Sequence, residues 1–256
     1  MSSRQRWILL LLALANILFL CCVIEAALIL VTTPPNQDPL QSALDTFSLA
    51  PPSSTSIEGF APTPTLEAGW KLYAASTDTF AIALPASWKQ IPLNETTVAA
   101  ALNAVGQKNP EFANALGAQN SSAAPLVKFM AVDTSLDGMA GSFSTNLNVF
   151  HRTQPIDAPL EVYIPITLKA LQDLPYVGRP ILHTRMQTLA GEAEEFRYAN
   201  TLKLLTNENV RTANRQYLIV HGRELYIISC SAPLSQESKY APIFAKIAAS
   251  FRWTGK

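Results

Sequence analysis

Three histidines, a cluster of glutamates, an aspartate-glycine loop and a run of arginines are the residues of this chain whose types are suited to chemistry. His151, His183 and His221 show no metal-ligand spacing such as His-Glu-x-x-His, which places two imidazoles on one helical face. Each reads as a surface residue. His151 ends a strand, His183 shares a strand face with Arg185 and Gln187, and His221 sits at a hairpin turn. Glu192, Glu194 and Glu195 gather at a strand start beside a hairpin, where a solvated edge is expected. Arg211, Arg215 and Tyr217 fall on one face of strand 210–220, with Arg197 adjacent on the neighbouring strand. That is either a basic patch for an anionic partner or, more simply, a solvent face paired with Glu195. Surface pairs of this kind contribute little stability.

The loop Asp133-Thr134-Ser135-Leu136-Asp137-Gly138 has oxygen ligands at positions 1, 3 and 5 and glycine at position 6, as calcium loops do. Its twelfth position holds Ser144 where a bidentate glutamate is needed, and strands flank it in place of helices, so an Asp-Gly turn in a long hairpin is the expectation. No Gly-x-Ser-x-Gly elbow, Ser-x-x-Lys or Cys-His arrangement occurs, and no glycine-rich phosphate loop. Catalytic, cofactor-binding and metal residues are therefore all expected to be none, and no cofactor is implied.

The elements that carry these residues mix two periodicities. Thr79 to Leu84 alternates as a strand with Phe80, Ile82 and Leu84 on one face, and Pro85-Ala86-Ser87-Trp88 turns the chain. Val98, Leu102 and Val105 recur at helical spacing, and Asn109-Pro110 reopens a helix that Gly117 ends. Leu126 to Asp133 and Thr145 to Arg152 form a wide hairpin. Asp157 caps a helix whose Leu160, Ile164, Leu168 and Leu171 share one face, with a kink or late start expected at Pro165. Strands follow at about 180–189, 193–203, 210–220 and 224–231, joined at Ala190-Gly191 and His221-Gly222, where glycine tolerates positive φ. A closing helix aligns Tyr240, Phe244, Ile247 and Phe251. Strands joined by tight turns make an antiparallel sheet, so the fold class is α+β, about six to seven strands with helices on the faces.

Ahead of this domain, Trp7 to Val31 runs 25 residues with only Asn16 and Glu25 strongly polar, directly after Arg4 and Arg6. As a helix it reaches roughly 37 Å, enough to span the roughly 30 Å hydrocarbon core of a bilayer. No Lys or Arg follows until Lys71, so residues 1–6 stay in the cytoplasm and the rest lies outside. A cleaved signal peptide is the competing reading, but its apolar core would be only about 7 to 15 residues. A lipoprotein signal at Cys21 or Cys22 lacks the small residue just before the cysteine. Glu25, near the outer face, reads as an interfacial or protonated acid rather than a functional one. Residues 32–69 hold seven prolines, four acids and no basic residue, the composition of a disordered tether. Residues 70–256 suit one domain. There 17 basic residues stand against 14 acidic ones, a net of +3, too balanced for a nucleic-acid partner. Cys230 is the single cysteine of this domain, which excludes a disulfide framework within it. Asn94-Glu95-Thr96 and Asn120-Ser121-Ser122 match the glycosylation sequon, a triplet frequent by chance.

Phe80-x-Ile82-x-x-Pro85-x-x-Trp88 resembles the opening of PsbP-like domains, the superfamily that includes the Mog and DcrB-type proteins. Gly222 to Ile228, Tyr240 and Ala249-Ser250-Phe251-Arg252-Trp253 are similar to its last hairpin and closing helix, so the resemblance covers about 70–253. It implies an α-β-α sandwich and a non-enzymatic accessory subunit, assembly factor or binding partner; fold alone does not carry function. The expectation is a single-pass, membrane-anchored, extracytoplasmic accessory or protein-binding module, its partners being the membrane and a protein. A small-ligand or metal-binding domain is the alternative, and an enzyme comes third.

Overall fold

The computed structural model describes residues 66–74, 79–91, 93, 127–135, 138–140, 143–174, 176–203 and 209–254. The anchor at 7–31, nearly all of the linker, the helical stretch from Val98 to Gly117, both sequons and Asp137 lie outside the described residues. Among those described, no helix is long and apolar enough to cross a membrane.

The strands are β1 (Trp70–Ala74), β2 (Phe80–Pro85), β3 (Trp88–Gln90), β4 (Val127–Asp133), β5 (Met139–Ala140), β6 (Phe143–Ser144) and β7 (Asn146–Thr153). Helix α1 (Leu160–Asp173) follows, then β8 (Leu182–Thr188), β9 (Gly191–Lys203), β10 (Asn209–His221) and β11 (Glu224–Pro233). A short 3-10 turn, α2 (Glu237–Ala249) and β12 (Arg252–Trp253) close the chain. Seven strands make one antiparallel sheet in the order β3-β4-β7-β11-β10-β9-β8, and β1-β2-β12 make a second, three-stranded sheet. The expected hairpins are all present: β4 pairs with β7, and the turns at Gly191 and Gly222 hold φ of +122° and +58°. Strands β1, β3 and β12 were not expected. They are five, three and two residues long, too short for alternation to show.

Both faces of the large sheet are covered. On one, Leu160, Tyr163 and Leu171 of α1 pack against Phe150, Phe196, Leu218 and Ile227. On the other, Tyr240, Phe244 and Ile247 of α2 and Phe80, Ile82 and Leu84 of β2 pack against Val149, Tyr217, Tyr226 and Ile228. The period of two along a strand sends Leu218 one way and Tyr217 and Ile219 the other, so each inner strand feeds two cores.

The expected helix at 160–171 is present with three corrections. Pro159, not Asp157, occupies the N-cap position, and no side chain caps it. The helix continues through Pro165, which sits on the exposed side where the carbonyl deprived of its donor can be hydrated. Its buried stripe runs through Leu160, Tyr163, Thr167 and Leu171, with Ile164 and Leu168 only half-buried. In α2 the expected stripe holds, except that Phe251 lies past the helix end, buried against Phe80 at 5.2 Å between ring centroids.

Candidate functional site

Most of the described residues marked out by the sequence for chemistry are drawn into intramolecular contacts, and several are far less exposed than expected. His183 and Arg185 of β8 share the Glu194 carboxylate of β9, at 2.6 Å to Oε1 and 3.1 Å to Oε2. Glu194 is thus a buried anchor and not part of a solvated edge; its side chain is 4% exposed. Arg185 also donates to Glu192 and Glu161, each at 2.8 Å. The hydrogen bond with Glu161 raises the Arg185 guanidinium further, and the same bond holds the Glu161 carboxyl below the ordinary carboxylate range.

The expected solvent face of β10 is instead the face under α2. Arg215 donates to Glu195 Oε1 at 2.7 Å, with side-chain exposures of only 14% and 9%, and Arg197 lies 3.6 Å from the same carboxylate. The pairing with Glu195 is as read from the sequence, but it is largely enclosed, because α2 covers this part of the face, while Arg211 at the far end of the strand stays exposed. Tyr217 beside it is fully enclosed, and burial pushes its hydroxyl upward, with Cys230 and Glu195 adding to the effect. Burial likewise pushes the Cys230 thiol well up.

His151 stacks on Tyr226 at 4.3 Å and bonds Glu224, which also accepts from Thr153 Oγ1 at 2.9 Å. Burial raises the Glu224 carboxyl, and these hydrogen bonds outweigh it to leave a net lowering. His221 lies against the Trp253 ring at 4.9 Å. In the calcium-like loop, Asp133 Oδ1 accepts the Ser135 N–H at 2.9 Å and Oδ2 accepts the Tyr240 hydroxyl at 2.8 Å. Gly138 packs so close that a Cβ there would lie 2.6 Å from the Asp133 side chain. The carboxylate thus ties the hairpin to α2, and burial with this bond pushes the Tyr240 hydroxyl up. Among the described residues no group of three His, Cys, Asp or Glu is placed to hold a metal ion.

Two features went unread in the sequence. The first is a buried polar band on the α1 side of the large sheet. Register aligns Asn148, Ser229 and Gln216 across β7, β11 and β10, then Asn146, Ser231 and Asn214 in the next row, with Thr212 opposite Asn200 beyond. All eight are at most 5% exposed. The signal lay in three strands with one alternation: Asn146 and Asn148 around Leu147, Ser229 and Ser231 around Cys230, and Thr212, Asn214 and Gln216 around Ala213 and Arg215. The second is β8, the end strand of the large sheet, exposed at each position from Leu182 to Arg185. Leu182 and Leu189, at either end of this edge, are 50% and 49% exposed.

No protein-family model matches the chain, and no curated protein matches it. Solved structures do. Cyanobacterial PsbP (CyanoP) from Synechocystis is 14% identical, with 77% of this chain and 97% of that one covered and a TM-score of 0.43. LpqN of Mycobacterium tuberculosis, described as involved in cell envelope biogenesis, is 11% identical over 73% of this chain and 92% of that one, with a TM-score of 0.44. The Saccharomyces cerevisiae Ran-binding protein Mog1p is 10% identical over 72% and 95%, with a TM-score of 0.42. The PsbP-like likeness drawn from Phe80 to Trp88 and from Gly222 to Trp253 recurs in these matches as a likeness of fold.

Proposed function

We propose that this chain is a non-enzymatic binding module, held outside the cell membrane by the 7–31 anchor and the 32–69 tether, that docks an extended segment of a protein partner along β8. The open edge carries this reading. A terminal strand presents a row of backbone donors and acceptors on its outer side, and an added strand satisfies them while its alternate side chains find apolar contacts. Among the described residues no backbone hydrogen bond is made on the outer side of β8, and Leu182 and Leu189 offer apolar contacts at its two ends. The groups suited to acid-base work, His151, His183, Glu194 and Asp133, are meanwhile held by partners inside the fold.

A photo-crosslinking residue placed at Leu182 in the full chain, in its own membranes, tests the docking. A specific protein adduct should recur from Leu182 and be absent from a control at Leu72 on β1. Equal or absent adducts would overturn it. Protease added to intact cells should degrade residues 70–256, and complete protection would refute the outside location.

A further inference from the structure

The open edge formed by β8 has two faces of different chemistry. Register places Leu182, Thr184 and Met186 beside Arg197, Glu195 and Ala193 on the α2 side, and His183, Arg185 and Gln187 beside Phe196, Glu194 and Glu192 on the α1 side. Leu182, half-exposed, and Met186, partly buried, make the first of these apolar. The second is acidic. Arg185 engages one oxygen each of Glu161, Glu192 and Glu194. With His183 counted as neutral, three negative charges against one positive leave a surplus of two. The other charges of α1, Lys169 and Asp173, pair with each other. Glu194 is enclosed, so the surplus is presented by Glu161 and Glu192, whose side chains are 52% and 65% exposed. An exposed surplus beside an edge strand favours a cationic segment and disfavours an anionic one.

We infer that the protein segment docked on β8 is basic, with Lys or Arg opposite Gln187, an uncharged residue opposite Arg185, and apolar residues opposite Thr184 and Met186. This rests on the edge-strand reading and gives its partner a chemistry. Side chains directly opposite each other on one face of paired strands lie about 5 Å apart, so a cation opposite Arg185 would meet its guanidinium. One opposite Gln187 meets a neutral amide and stands in line with Glu192, which faces Gln187 on β9. Two strand spacings, about 10 Å, separate it from the β9 backbone, a span that a lysine and a glutamate side chain close together. Exposed ion pairs of this kind are each worth about two- to fivefold in affinity. They select among segments that the backbone edge alone would accept equally.

A photo-crosslinking residue at Leu182 of the full chain in detergent tests this with three peptides, Lys-Val-Thr-Val-Lys-Val-Thr, Glu-Val-Thr-Val-Glu-Val-Thr and Thr-Val-Thr-Val-Thr-Val-Thr. At about 20 mM salt the lysine peptide should label at least about threefold more than the threonine peptide, the glutamate peptide should label least, and about 0.5 M salt should erase the differences. Glu161→Gln combined with Glu192→Gln leaves Arg185 with Glu194 alone, so the ranking should vanish while labelling by the threonine peptide persists. Equal labelling by all three, or most by the glutamate peptide, would overturn the basic partner and leave the open edge standing. So would a lysine preference that survives in the double variant. Should that variant not fold, the salt series on the unsubstituted chain decides: a lysine preference lost at high salt supports the inference, and one unmoved by salt overturns it. No labelling by any peptide also overturns it, whereas the edge reading falls only if the adduct in native membranes is missing as well.

Discussion

Replacing Arg215 by methionine should lower folding stability by about 3 kcal/mol, the lower end of the range for removing one partner from a buried ion pair. The lower end follows from the surroundings. Glu195 would be stranded in the core face under α2 with its side chain 9% exposed, but Arg197 at 3.6 Å remains as a partial substitute. Arg197 is itself 37% exposed and so replaces only part of the attraction. For a domain of this size the loss corresponds to a fall of roughly 6–12 °C in Tm. Urea unfolding of the parent and Arg215→Met, compared at equal slope, measures it. Combining Glu195→Leu with Arg215→Met should recover most of the loss, since apolar side chains then replace both charges. A loss below about 1 kcal/mol for Arg215→Met would show that the pair behaves as a solvated surface bridge and would refute the buried reading.

Phe251→Ala should cost about 3–5 kcal/mol, because its ring is fully buried between Phe80, Tyr226 and Trp253; thermal unfolding reads the loss, and a change under 1 kcal/mol would mean that the site collapses around it. The Glu224 and Glu161 carboxyls titrate below their ordinary value of 4.5 in the folded chain, so the stability they contribute is present above that pH and is lost as pH falls through their folded values. Glu224→Gln should therefore flatten the decline in urea midpoint between about pH 5 and 3, and an unchanged slope would contradict the assignment. Cys230, enclosed between β10 and β7, should resist thiol labelling in the native chain and react on denaturation, as site-resolved mass spectrometry can follow.

The long strands were legible because β9, β10 and β11 run ten or more residues each, and glycine turns at Gly191 and Gly222 join β8 to β9 and β10 to β11. The pairing of Arg215 with Glu195 was legible too, since both sit at odd positions on one face of adjacent strands, diagonally opposed with Arg215 facing Arg197 and Tyr217 facing Glu195. Its burial was not. Reading alternation assigns residues to two faces but does not say that both are covered, and here α1 and α2 cover both. The same gap hid Glu194, read as edge and found in the interior, and the band from Asn146 to Gln216, whose polar alternation looks like a wet face. Fold and site therefore differ in legibility: pattern reports direction, while cover depends on contacts distant in the chain.

The described residues enter the fold through the smaller, three-stranded sheet. Glu67 pairs with Lys246 of α2, whose ammonium lies 4.9 Å from the centre of the Trp70 ring, and β1 joins the fold through its five-residue ladder with β2. Any pull arriving through the preceding residues is loaded first on that clasp. It would strip β1 from the three-stranded sheet while β8 and its six neighbours stay paired, so tension would be absorbed as slack in β1, as by a mechanical fuse.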